Sequence, residues 1–227
     1  MYQAGWCLVI GQSYPGAGYS LYGRSTHAGS HGSVPAPEVA SFSRMSHEPE
    51  SRDVTRIYLS LAPADLRPGR PPAASVQLER RRPIESADYR ALYQLVGEQW
   101  LWRDRLAWSD EALSRHLERP DIHVWVAIIQ GETAGYFELQ RQPEDEVEIV
   151  YFGLAPSFMG QGIGGWLLTR AAEESFALGA RSVVLNTCTL DAPQALPNYL
   201  ARGFRIVREE RYVTTVPSTF APPAPRG

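Results

Sequence analysis

The chain has 227 residues and a mass of 25.3 kDa, a length for one domain or at most two small ones. Apolar residues make up 44% and charged residues 21%, the balance of a globular protein. The formal charge of −3 argues against a nucleic-acid binder held by bulk charge, and the longest apolar run, Val124–Ile129, is far too short to cross a bilayer.

Cys7 and Cys188 are too few for a disulfide framework and have no zinc spacing. The N-terminus lacks a basic stretch followed by an apolar one, so no secretory signal is expected. Reduced thiols in a cytoplasmic protein follow from these two readings. All 22 basic residues are Arg and none is Lys; with abundant Ala, Gly and Pro this points to GC-rich coding and a bacterial source.

Residues 1–50 are rich in Gly and Ser and show no apolar periodicity after Ile10. Such a segment buries too little to offset its ordering entropy, so a disordered extension is expected. His27, His31 and His47 are read as solvated filler within it. Met45 precedes the first strand-like run and is an alternative translation start. The folded domain is placed at 51–216, followed by a Pro-rich loose tail over 217–227. Val54–Leu61 alternates as a strand, Pro63–Pro72 is a break, and Val76–Arg81 is a second strand. Ser86 opens a helix carrying Tyr89, Leu92, Val96 and Trp100 at helical spacing. Ser109, Asp110 and Glu111 open another that ends before Pro120, with acids at its positive end. His123–Ile129, Ala134–Gln140 and Glu146–Leu154 read as strands joined by turns at Gly131 and Pro143–Asp145. A helix from about Gly164 to Leu178 stops at Gly179. Ser182–Leu190 (strand), Gln194–Arg202 (helix) and Phe204–Val216 (strand) complete a mixed sheet flanked by helices, an α/β (α+β) fold.

The most informative stretch is Leu154-Ala-Pro-Ser-Phe-Met-Gly160-Gln-Gly162-Ile-Gly164-Gly165. A strand ends, four glycines fall within six positions, and a helix begins. Glycine lets the backbone approach a ligand, and the unpaired first N–H groups of a helix favour a phosphate. Gly160, Gly162 and Gly165 satisfy G-x-G-x-x-G, the dinucleotide fingerprint of a nicotinamide-dependent oxidoreductase. Only about two further strands follow it, too few for that fold. With no Lys, a Walker A loop is excluded.

From Glu146 to Tyr212 the chain resembles the GNAT superfamily of acyl-CoA-dependent N-acetyltransferases. Gly162, Ile163 and Gly164 match the end of that family's Gln/Arg-x-x-Gly-x-Gly/Ala loop, with Pro156 and Phe158 before it. Tyr199, Gly203 and Phe204 match its second block, Tyr-x-x-x-Gly-Phe. Met159 stands where the family prefers Gln or Arg, Ala192 where an Asn often begins the second helix, and Pro197 interrupts that helix's first turns. The resemblance implies a mostly antiparallel central sheet with helices on both faces. It implies acetyl-CoA as co-substrate, no metal, and an amine acceptor that is a small molecule or peptide. It implies no nucleic acid and no membrane as partner, and dimers are common in the fold.

Carried over residue by residue, the pantetheine and thioester contacts fall on Phe152, Gly153 and Leu154, and the pyrophosphate contacts on Met159, Gly160, Gln161, Gly162, Ile163, Gly164 and Gly165. Acetyl transfer needs a neutral amine, a stabilised carbonyl oxygen and a proton for the leaving thiolate. Glu148, eleven residues before Met159, is the candidate base; its alternative is an exposed residue in the acidic run Glu144–Glu146. Tyr199 is the candidate acid, against a core aromatic. Cys188 reads as a buried strand residue rather than an acyl carrier, and His123 as a packed or edge residue. Trp100, Trp102 and Trp108 read mainly as packing, with stacking on a substrate as the alternative. The function expected is direct acetyl transfer to a primary amine, against a catalytically silent acyl-CoA-binding module.

Overall fold

The structure, a computed structural model, describes residues 49–220. The extension up to residue 48, Met45 and the residues after 220 lie outside them. The strands are β1 (Glu50–Leu61), β2 (Gln77–Arg81), β3 (Ile122–Ile129), β4 (Glu132–Arg141), β5 (Glu146–Leu154), β6 (Ser182–Cys188) and β7 (Arg205–Val216). The helices are α1 (Ser86–Gly97), α2 (Asp110–Leu117), α3 (Ile163–Ala177) and α4 (Ala195–Ala201). They form one seven-stranded sheet in the order β2-β3-β4-β5-β6-β1-β7. Every neighbouring pair is antiparallel except β5 and β6, which α3 joins as a crossover. The expected architecture, mostly antiparallel with helices on both faces, is the one found.

The two faces carry separate cores. On one, Leu167, Leu168, Ala171 and Ala172 of α3 pack on Phe137, Leu139, Val147 and Ile149, with Tyr199 and Phe204 alongside. On the other, Tyr89, Tyr93 and Val96 of α1 and Leu113 and Leu117 of α2 pack on Val124, Val126, Tyr136, Val150 and Tyr151. Strand β3 is apolar almost throughout because both its faces are covered. Ser109 caps α2, its hydroxyl accepting from the Ala112 N–H at 3.2 Å. Ser86 does not cap α1; Glu85 holds that position without a side-chain bond, and Trp100 falls in a 3-10 turn beyond the helix.

Two differences from the expected elements bear on function. Strand β1, first in the sequence, lies between β6 and β7 near the end of the sheet. Periodicity gives a strand's faces but not its neighbours. The segment after β7 remains packed as far as Phe220, which is buried with Val54, Leu101, Cys188, Leu190 and Val216 in a third cluster, so Pro217 does not begin a loose tail. Cys188 is not a free thiol, which corrects the expectation of a reduced thiol at that position. No helix among the described residues is long and apolar enough to cross a membrane.

Candidate active site

Strand β5 is shared unequally between its neighbours. Its pairing with β4 continues to Leu154, opposite Gly135. Its pairing with β6 covers only Glu146, Val147 and Glu148, opposite Ser182, Val183 and Val184. Past Glu148 the two parallel strands part, and no described strand pairs with that edge of β5. Phe152, Gly153 and Leu154 line this fork, all three half-buried.

A β-bulge sits in β5 at Val150: Glu138 faces Tyr151 and Leu139 faces Ile149, leaving Val150 unopposed. A bulge shifts the alternation of the side chains after it. Ile149 therefore points to the α3 face, Val150 and Tyr151 to the α1/α2 face, and Phe152 back to the α3 face. Gly153 does not make the bulge. A Cβ there would lie 2.5 Å from Cγ1 of Val96, so glycine lets α1 cross the strand closely.

Beyond β5, Gly160 and Gly162 have φ of +77° and +76°. An added Cβ at either would meet nothing within 4 Å, so the backbone sign, not crowding, calls for glycine. Gly162 is the N-cap of α3, and no side chain caps the helix. The N–H groups of Ile163, Gly164 and Gly165 thus keep their donors for another partner, at the positive end of a 15-residue helix. The side chains of the loop are otherwise committed. Gln161 donates to the Ser157 carbonyl at 2.8 Å, and the Met159 sulfur lies 3.7 Å from Nε2 of Gln99.

Glu148 stands where the fork opens. It is 8% exposed, not a solvated member of the acidic run. Burial pushes its carboxyl up to about 7, the Glu138 charge adds to the shift, and a 2.8 Å hydrogen bond donated by Gln142 opposes it. A carboxyl that changes charge near neutrality is suited to taking a proton. Tyr199 lies on the other face of the sheet, its ring edge-on to Phe152 at 6.2 Å and to Phe204 at 6.1 Å. Its hydroxyl bonds no described residue. Burial, and then the nearby Asp191, raise the phenol above its ordinary value and keep it protonated. Glu148 and Tyr199 thus approach the fork from opposite faces.

The sequence reading missed a buried polar group on the α1/α2 face. Glu138 is fully buried. It accepts from the Tyr89 hydroxyl and, at 2.9 Å, from Nε2 of His116, and it lies 3.7 Å from Arg105. These partners, above all His116 and Arg105, hold its carboxyl below the ordinary value despite burial. Asp104 accepts from Tyr93 at 3.0 Å and Tyr151 at 2.7 Å. A signal for Glu138 exists in the sequence: it shares the alternating face of β4 with Tyr136. Arg105 lies in an irregular stretch, where no period marks it. The three tryptophans do not act as one group. Trp102 packs on Tyr93 and Tyr151, Trp108 covers Arg105 and His116, and Trp100 is buried apart from both. Cys188 is buried and accepts from the Leu190 N–H. His123 is buried on β3 beside Arg80. Among the described residues no three His, Cys, Asp or Glu side chains converge as a metal site.

The fork, the glycine loop and the crossover helix define an acyltransferase fold. Residues 89–204 match the family model described as Acetyltransferase (GNAT) family, about half the chain, and the protein belongs to that family. Similar solved structures include a GCN5-related N-acetyltransferase from Kribbella flavida, 18% identical with a TM-score of 0.52 over 74% of this chain and 60% of that one. Another, from Sphaerobacter thermophilus, is 18% identical with a TM-score of 0.51 over 74% and 53%. A functionally unknown conserved protein from Staphylococcus epidermidis is 17% identical with a TM-score of 0.50 over 74% and 63%. The chain spans about three-fifths of the length of these proteins, and the likeness is one of fold. No curated protein matches the chain at a significant level.

Proposed function

We propose that the protein is an N-acetyltransferase that moves an acetyl group from acetyl-CoA to a primary amine by direct attack. The observation that carries this reading is the fork: β5 and β6 part at Glu148, beside the uncapped glycine mouth of α3. The N–H groups around Gly160–Gly165 suit the pyrophosphate, and the unpaired edge of β5 at Phe152, Gly153 and Leu154 suits the amide-bearing pantetheine arm. The open space at Gly160 and Gly162 fits a ligand held by backbone, so Met159 in place of Gln or Arg costs little.

Acetyl-CoA supplies the activated acyl group. Glu148, ionised above about pH 7, takes the proton the ammonium must lose. The amine nitrogen bonds to the acyl carbon as the carbon–sulfur bond breaks, the nitrogen loses its second proton to solvent as the amide forms, and solvent returns a proton to Tyr199 after the thiolate leaves. Tyr199 holds a proton for the departing thiolate. A bacterial source, consistent with the Arg-only composition, is proposed.

The test is calorimetry with acetyl-CoA and with NAD(P), followed by release of free CoA across an amine panel. Heat with acetyl-CoA alone and CoA release that depends on amine are expected. Binding without turnover on any amine would favour the silent acyl-CoA module. No heat with acetyl-CoA from folded protein would remove both.

A further inference from the structure

Arg105 belongs to the buried polar group on the α1/α2 face, which the reaction above does not use. It lies in the irregular stretch between α1 and α2 and is 9% exposed. Its guanidinium lies 4.1 Å from the ring centre of Trp108 and 5.2 Å from that of Tyr151. Its closest carboxylate oxygen, Oε1 of Glu138, is 3.7 Å away, an ion-pair distance but not a hydrogen bond. Its Nε is buried with no acceptor, and none of its N–H groups donates to a described residue.

The reason lies in the neighbouring carboxylates, whose oxygens are already engaged. The Glu138 oxygens accept from Tyr89 and His116, and the Asp104 oxygens from Tyr93 and Tyr151. Arg105 is therefore neutralised in charge but unsatisfied in hydrogen bonds. A buried guanidinium in that condition costs free energy unless an acceptor arrives. The fork is close by. Glu138 stands two residues along β4 from Gln140, the partner of Glu148, on the same face of the sheet, a separation of about 7 Å at strand rise.

We propose that Arg105 receives the carboxylate of the acceptor, so that the substrate is an amine that also carries a carboxyl group, amino-acid-like in its chemistry. This rests on the acetyl-transfer reading above. The planar fork of a guanidinium matches a carboxylate in two parallel hydrogen bonds. A phosphate dianion fits less well, because Glu138 and Asp104 would repel a double charge. Bound this way, the acceptor spans from Arg105 toward Glu148 and presents its ammonium to the base, with Trp108 and Tyr151 as apolar walls.

The test compares amino acids with their own carboxamides as acceptors, read as free CoA released. The carboxamide has the same size and a less basic amine, so its intrinsic readiness to react is higher; a preference for the acid must come from binding. In the wild-type protein kcat/KM is expected to favour the acid by about tenfold to a hundredfold. Arg105→Gln should erase that preference, read as the acid-to-carboxamide ratio within the one variant, and Arg105→Lys should restore part of it. Equal use of acid and amide by the wild-type protein overturns the proposal without need of any variant. So does an Arg105→Gln protein that slows both alike. If acetyl-CoA binds but no amine releases CoA, the acetyl-transfer reading fails first. The same pairs are then compared by thermal shift in the presence of CoA: stabilisation by the acid and not by its amide, lost in Arg105→Gln, upholds the Arg105 site, and its absence overturns it.

Discussion

Replacing Glu148 by Gln should remove activity and at the same time make the protein more stable, in a pH-dependent way. The fold raises this carboxyl from its ordinary 4.5 to about 7, chiefly by burial. Below pH 4.5 the group is protonated in both folded and unfolded chains, and it adds no pH-dependent term. As pH rises the unfolded chain loses this proton first, so the native state binds more protons and its stability falls. The fall is complete once pH exceeds about 7. For a group only 8% exposed, the full penalty is about 3 kcal/mol. At pH 5 it is still below about 1 kcal/mol. Glutamine carries no charge at any pH and escapes the penalty, although it loses part of the bond from Gln142. Urea melts of wild type and Glu148→Gln at pH 5.0 and pH 8.5 measure the difference directly. The variant should gain about 2–3 kcal/mol at pH 8.5 and little at pH 5.0. In parallel the wild-type kcat/KM should drop tenfold per pH unit below about 7, since only the ionised base accepts a proton. A stability gain of equal size at both pH values, or a loss at pH 8.5, would refute the burial origin of the shift.

Tyr199→Phe should lower kcat about 10- to 100-fold with KM for acetyl-CoA nearly unchanged; because its hydroxyl bonds no described residue, the melting temperature should hold within a degree or two, which differential scanning calorimetry checks. Gly162→Ala places a Cβ in open space at φ +76°, so it should cost about 1–2 kcal/mol of backbone strain in urea melts and a larger share of acetyl-CoA affinity by calorimetry. His116→Ala strips a hydrogen-bond partner from the fully buried Glu138 and should destabilise by about 3–5 kcal/mol; Ser109→Ala, which removes only the cap of α2, should cost about 1 kcal/mol by the same assay.

Most of the elements were legible because each declares its own period. The α3 helix follows from a strand end, a glycine turn and apolar positions at helical spacing, and the structure places it at Ile163–Ala177. Strands β3, β4 and β5 follow from apolar runs cut by Gly131 and by Pro143–Asp145. What stayed hidden is what depends on partners distant in sequence. The insertion of β1 between β6 and β7 satisfies the backbone of two strands more than a hundred residues away, and nothing local to Glu50–Leu61 encodes it. Glu148 was legible as a candidate but not in its burial, because its acidic neighbours suggest a wet edge. That burial depends on neighbours outside the acidic run: Gln140 beside it on β4, Val184 beside it on β6 and the bond from Gln142. The Glu138, His116 and Arg105 group draws on β4, α2 and an irregular stretch, and no single segment shows it.

The bulge at Val150 ties these observations to chemistry. In an unbroken strand Glu148 and Phe152 would point to the same face, since side chains alternate with a period of two. The extra residue reverses that relation: Glu148 shares its face with Glu138 and Tyr151, while Phe152 shares the other with Tyr199 and α3. On the proposed reading, the candidate base lies on one face of the sheet and the candidate acid and the helix mouth proposed for the pyrophosphate lie on the other. The amine can then be deprotonated on the side it enters, and the thiolate protonated on the side it leaves. One inserted residue in one strand thus sets Glu148 and Tyr199, the proposed base and acid, on opposite faces of the sheet. It does so at the point where β6 turns away and opens the main chain of β5 between them.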